Sequence, residues 1–133
     1  MDDTFIICVE SGGKMTESLM KKLISGNKLF QNEGSIEYAA AHLGCKLIIM
    51  LGHTGCGAVS AALSNHADGF IAYITEGILE AVEDERDPDK ACRLNVIDGV
   101  DRIKREFALH PEISDAEVRG AIYNIEDGQV ERL

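Results

Sequence analysis

The apolar positions of this chain follow two spacings that alternate along its length. Two continuous apolar runs, residues 4–9 and 46–51, are typical of strands covered on both faces. Apolar residues three or four positions apart predict helices elsewhere. The predicted helices cover residues 16–24, 36–43, 57–63, 69–82 and 90–109. Strands alternating with helices predict an α/β domain.

Local signals place the ends of several elements. Ser35 could cap the helix over residues 36–43, and Gly44 could stop it. Two segments, residues 117–125 and 129–133, flank Asp127-Gly128 and predict a C-terminal hairpin. We therefore expect residues 1–133 to form one domain, with a small, mainly parallel sheet flanked by helices.

Composition and charge narrow the function classes. The formal net charge is −10 and no segment concentrates lysine and arginine, so nucleic acid and anionic membrane surfaces are poor partners. The mean hydropathy of −0.05 and the absence of a long apolar run or an export signal predict a cytoplasmic protein. Free thiols or metal ligands are expected in that compartment rather than disulfides. Of the cysteines, Cys45 and Cys92 lack metal-type spacing and are expected to be packing residues.

Candidate chemistry concentrates where the strand over residues 46–51 ends. His53 and Cys56 follow it in a glycine-containing turn, directly before a predicted helix. Imidazole nitrogen and thiolate sulfur are zinc ligands, and a helix N-terminus favours the thiolate. Cys8 would lie at the same edge if its strand were a parallel neighbour. Three ligands of this kind leave a fourth position open, as in catalytic zinc sites.

The same residues allow other interpretations. His53 and Cys56 could be a turn histidine and a small buried thiol. Gly55 and Gly57 could cradle a phosphate, but Ser60 stands at the third position of the dinucleotide-binding glycine pattern. A redox pair of Cys8 and Cys56 lacks the Cys-x-x-Cys spacing.

Five segments resemble the β-class carbonic anhydrases. They are residues 8–11 (CVES), 26–27 (GN), 35–39 (SIEYA), 52–59 (GHTGCGAV) and 120–128 (GAIYNIEDG). The resemblance implies the fold of that family and one Zn²⁺ per chain, held by Cys8, His53 and Cys56. It also implies reversible hydration of carbon dioxide to bicarbonate, and a homodimer or higher homo-oligomer.

The resemblance also assigns roles to two further residues. Glu10 stands where the family has an aspartate, and would orient the reacting water or close the site by ligating the metal. Tyr38 would lie near the pocket, although packing in the core with a satisfied hydroxyl is the favoured interpretation of this residue. Gly12 stands where the family has an arginine that holds the acidic residue. These departures leave an alternative function: a zinc-binding homologue without hydratase activity, acting as a structural or regulatory module.

Overall fold

The computed structural model describes residues 5–10, 29–65, 71–110 and 115–133. Its elements, in chain order, are β1 (Phe5–Glu10), α1 (Leu29–His42), β2 (Cys45–His53), α2 (Gly57–Leu63), α3 (Ile71–Val82), α4 (Pro88–Leu109), β3 (Glu117–Tyr123) and β4 (Val130–Arg132). The α/β class and the flanking helices are confirmed. The helix predicted over residues 16–24 lies outside the described residues.

The strands form one mixed sheet in the order β1-β2-β3-β4. Among the strands that the structure describes, only β2 and β3 pair in parallel, while β1–β2 and β3–β4 are antiparallel. The predicted C-terminal hairpin is confirmed, whereas the described strands form a mixed sheet rather than a mainly parallel one. An apolar strand satisfies its backbone donors and acceptors in either ladder, so its composition does not encode its direction.

Helix boundaries follow their capping residues. Pro88 opens α4, and the Asp87 carboxylate accepts a hydrogen bond from the Lys90 backbone N–H at 3.0 Å. The helix therefore begins two residues before the predicted start. By contrast, α1 begins at Leu29, so Ser35 lies inside the helix and is not its cap. Gly44 follows the end of α1 with a φ of +67°, as expected of a stop residue.

The core lies between α4 and the central pair of strands, β2 and β3. Val96 of α4 is buried against Gly52 of β2 and Gly120 of β3. A Cβ on Gly52 would stand 2.5 Å from Val96 Cγ2, and one on Gly120 would stand 3.0 Å from Val96 Cγ1. The two glycines thus allow the helix to approach the strands closely.

The other described helices also contact this core: α2 and α3 pack on each other and on α4, and α1 packs on β2. The predicted helix over residues 57–63 is confirmed as α2. The helix α3, Ile71–Val82, lies within the predicted range 69–82, and its predicted end at Val82 is confirmed. None of the described helices is long and apolar enough to cross a membrane.

We predict opposite effects for two glycine-to-alanine substitutions. Gly52→Ala should lower the free energy of unfolding by about 1–3 kcal/mol, because the added methyl group overlaps the buried Val96 side chain. Gly77→Ala, inside α3 with open space around its Cβ position, should raise it by about 0.5–1 kcal/mol. Urea unfolding of both variants measures the difference. A Gly52→Ala variant as stable as the wild type would contradict the close approach of α4.

Candidate metal-binding turn

The carboxyl ends of β2 and β3 meet at one edge of the sheet. In the parallel register His53, the last residue of β2, lies beside Tyr123, the last residue of β3. The backbone N–H of Thr54 donates to the Tyr123 carbonyl at 3.0 Å, which extends the ladder one residue into the turn. Ligands of open α/β sheets bind at such ends. We call residues 53–56 the metal-binding turn, after the role that is proposed for it below.

A main-chain contact fixes the orientation of the His53 ring. Its Nδ1 lies 2.8 Å from the carbonyl oxygen of Thr54. A proton on Nδ1 makes this contact a hydrogen bond and leaves Nε2 as the nitrogen with a free lone pair. Metal-binding histidines commonly donate their other N–H to a backbone carbonyl in this way. The His53 geometry therefore suits a metal ligand.

Cys56 is held at the first turn of α2. Its backbone is extended, with φ −62° and ψ 120°, and its carbonyl accepts from the Ser60 N–H at 3.0 Å. The residue is only 8% exposed. A buried thiol and a partly buried imidazole in one four-residue turn offer one sulfur and one nitrogen donor, the types that zinc prefers.

The C-terminal hairpin closes over the turn. The backbone N–H of Ile125 donates to Thr54 Oγ1 at 3.1 Å. Gly55 has a φ of +66°, and a Cβ there would stand 3.1 Å from Ile125 Cδ1. Glycine is therefore suited to this position both by its backbone conformation and by the closeness of the hairpin.

Cys92 of α4 is a neighbour of Cys56 that the sequence did not indicate. Burial, followed by the nearby Cys56 thiol, raises the pKa of the Cys92 thiol to about 11. A hydrogen bond from the Cys56 backbone opposes this shift, because it favours the thiolate. Cys92 is a packing residue, as expected, yet the residue it packs against belongs to the metal-binding turn. No sequence spacing could have found this contact, which depends on how α4 crosses the sheet.

The backbone of β1, which carries Cys8 and Glu10, runs antiparallel to β2. The antiparallel register sets Cys8 opposite Ile48 and Glu10 opposite Cys45. Ile48 precedes His53 by five residues, which is roughly 16 Å along a strand. The expectation that β1 is a parallel neighbour, on which the position of Cys8 depended, is therefore corrected. Within the described ranges, no group of three or more histidine, cysteine or acidic side chains could hold a metal ion.

Tyr38 lies on the exposed side of α1. It is 51% exposed, and its ring centroid lies 5.2 Å from that of His42, one helical turn later. The interpretation of Tyr38 as a core residue is wrong, because the ring packs on the helix surface.

Comparison with known proteins gives one consistent family. A carbonic anhydrase family model matches residues 22–130. A carbonic anhydrase from Candida albicans is 30% identical over an alignment 130 residues long. The alignment covers 84% of this chain and 44% of that protein. Carbonic anhydrase 2 from Mycobacterium tuberculosis is 58% identical over 36 residues, covering 27% of this chain and 17% of that protein.

Solved structures agree with these sequence matches. The β-carbonic anhydrase CafA of Aspergillus fumigatus superimposes with a TM-score of 0.67 at 26% identity, covering 78% of this chain and 56% of CafA. A tetrameric β-carbonic anhydrase from Sordaria macrospora gives 0.62 at 26% identity, covering 81% and 61%. The matches cover most of this chain but only about half the length of these relatives.

We predict a pH-dependent stability term from Cys92 in the metal-free protein. The thiol pKa is raised from 9.0 to about 11 on folding, so the unfolded chain releases this proton first as pH rises. The stabilising contribution of the protonated Cys92 thiol to the free energy of unfolding is complete below pH 9 and is lost as the pH rises toward 11. Urea unfolding across this range should therefore show the stability difference between wild type and Cys92→Ala narrowing. Parallel pH profiles for the two proteins would contradict the raised pKa.

Proposed function

Because the chain belongs to the β-carbonic anhydrase family, we propose that it hydrates carbon dioxide reversibly to bicarbonate with the help of one zinc ion. The observation that carries the proposal is the metal-binding turn itself. It holds an imidazole with a fixed orientation and a buried thiol at the carboxyl end of the parallel β2–β3 pair. Family membership supplies the reaction, and the turn supplies two of the ligands.

The donor set of the turn fits zinc. His53 would bind through Nε2, since Nδ1 faces the Thr54 carbonyl, and Cys56 would bind through its sulfur. When bound, zinc supplies Lewis-acid chemistry that makes water a nucleophile near neutral pH. A cysteine binds zinc as the thiolate, so zinc binding would release the thiol proton of Cys56.

The protein residues around the turn would keep these donors in place. The Thr54 carbonyl orients the His53 ring, and the Ile125 N–H holds the Thr54 side chain. The low exposure of Cys56 limits competing contacts with water. Neutral carbon dioxide needs no charged partner for entry, so the acidic surface of the chain does not oppose it.

A specific observation favours a second candidate function. Glu10 lies opposite Cys45, far from the turn, and Gly12 stands where the family has its arginine. A zinc site with thiolate ligation depends on such outer groups to orient and help deprotonate water. The second candidate is therefore a zinc-binding homologue with a structural or regulatory role and no hydratase activity.

Zinc content and carbon dioxide hydration should be measured on the same preparation. We expect about one zinc per chain and a zinc-dependent rate in stopped flow that rises with pH over about 6.5 to 9. Cys56→Ser and His53→Gln should each lose the metal and the rate. His42→Gln, which changes an exposed histidine on α1, is the matched control and should retain both.

The outcomes separate the two candidate functions and the role of Cys8. Stoichiometric zinc with no rate at any pH would support the second candidate. Zinc binding that survives Cys56→Ser would refute the metal-binding turn. From the antiparallel register we expect Cys8→Ser to retain most of the zinc affinity. A loss equal to that of Cys56→Ser would mean that β1 pairs with β2 in parallel in the zinc-bound protein.

We also propose that the chain forms a homodimer or higher homo-oligomer. Three exposed apolar side chains of the hairpin support this: Tyr123, Ile125 and Val130. Light scattering should give a mass at least twice the 14.5 kDa of one chain, and Val130→Glu should reduce it. Leu109→Glu, at the more exposed end of α4, is the control and should not reduce the mass. A 14.5 kDa species at all concentrations would contradict the proposal.

A further inference from the structure

Cys92 and Cys56 come from distant parts of the sequence and meet beneath the metal-binding turn. Both thiols are buried, at 4% and 8% exposure, and neither is in a disulfide. The backbone of Cys56 hydrogen-bonds to the Cys92 thiol. This bond reaches the main chain of the residue whose sulfur is the proposed ligand, which distinguishes Cys92 from the other buried residues of α4.

The helix that carries Cys92 is held firmly against the turn. The Cβ position of Gly52, one residue before His53, lies 4.0 Å from the Cys92 carbonyl oxygen and 2.5 Å from Val96 Cγ2. Cys92 therefore projects from a platform that packs directly on the last residues of β2. A contact from α4 can therefore restrict the position of Cys56, the residue that precedes α2.

The backbone position of Cys56 depends on tertiary contacts of this kind. It occupies the N-cap position of α2, but its side chain forms no capping hydrogen bond. The helix has only seven residues, too short to be stable without tertiary contacts. A backbone N–H buried without its partner would cost free energy, so the Cys92 sulfur stabilises the conformation that Cys56 adopts.

We propose that Cys92 is a positioning residue, whose thiol fixes the Cys56 backbone and thereby sets the metal affinity of the turn. The inference rests on the proposed function for the metal, but its structural half is independent of it. Residues that orient metal ligands typically contribute 10- to 100-fold to affinity, so an effect of about that size is expected here.

Cobalt(II) is a suitable probe, because its absorption reports thiolate ligation and its titration gives an affinity. Cys92→Ala removes the hydrogen-bond acceptor and should weaken Co²⁺ binding about 10- to 100-fold. Cys92→Ser keeps an acceptor of similar size and should restore binding close to the wild-type value. Val100→Ala, two turns further along α4, is the matched control. It should destabilise the core while leaving the Co²⁺ affinity unchanged.

A second measurement needs no metal. The alkylation rate of Cys56 by iodoacetamide, read at that residue by mass spectrometry, reports how firmly the turn is held. Cys92→Ala should raise the rate several-fold, whereas Cys92→Ser and Val100→Ala should stay near the wild type. All variants are compared well below their unfolding temperatures.

The two measurements separate failure of the inference from failure of the zinc proposal. If wild-type protein binds no Co²⁺ and the alkylation pattern is as expected, the metal function fails but Cys92 still positions Cys56. The inference is overturned if Cys92→Ala matches the wild type in both measurements. It is also overturned if Val100→Ala has the same effects as Cys92→Ala, or if Cys92→Ser rescues neither property.

Discussion

The close packing of α4 on β2 and β3 is the constraint on which the rest of this structure depends. Gly52 and Gly120 present no side chain to the helix, and Val96 fills the space that they leave. A larger residue at either glycine would push the helix away from the strands. The same approach that forms the core also carries Cys92 to the metal-binding turn, so packing and the candidate site share one cause.

The parallel β2–β3 pair places the metal-binding turn and the C-terminal hairpin at the same edge of the sheet. Because the two strands end level, at His53 and Tyr123, the turn after one strand can be held by the hairpin after the other. Thr54 makes both connections, through its backbone N–H and its hydroxyl oxygen. The turn is thus fixed from the sheet and the hairpin as well as from α4.

Features decided by neighbouring residues could be predicted from the sequence, and those decided by distant pairing could not. The α2 helix and the turn at Asp127-Gly128 depend on local spacing, and both were predicted. The direction of β1 was not, because an apolar strand pairs equally well either way. The start of α1 was placed too late, since a serine able to cap a helix is also tolerated inside one. The contact between Cys92 and Cys56 required the crossing of α4 over the sheet.

The contact that orients His53 has a consequence for how this site can vary. The acceptor is the carbonyl oxygen of Thr54, which every amino acid possesses. No exchange of a neighbouring side chain can delete it, so alanine scanning around the ring would not detect the contact. Only a change in backbone path, such as one forced on Gly55, would release the imidazole. The orientation of the His53 ring therefore depends on the backbone conformation, and most single side-chain substitutions would leave it unchanged.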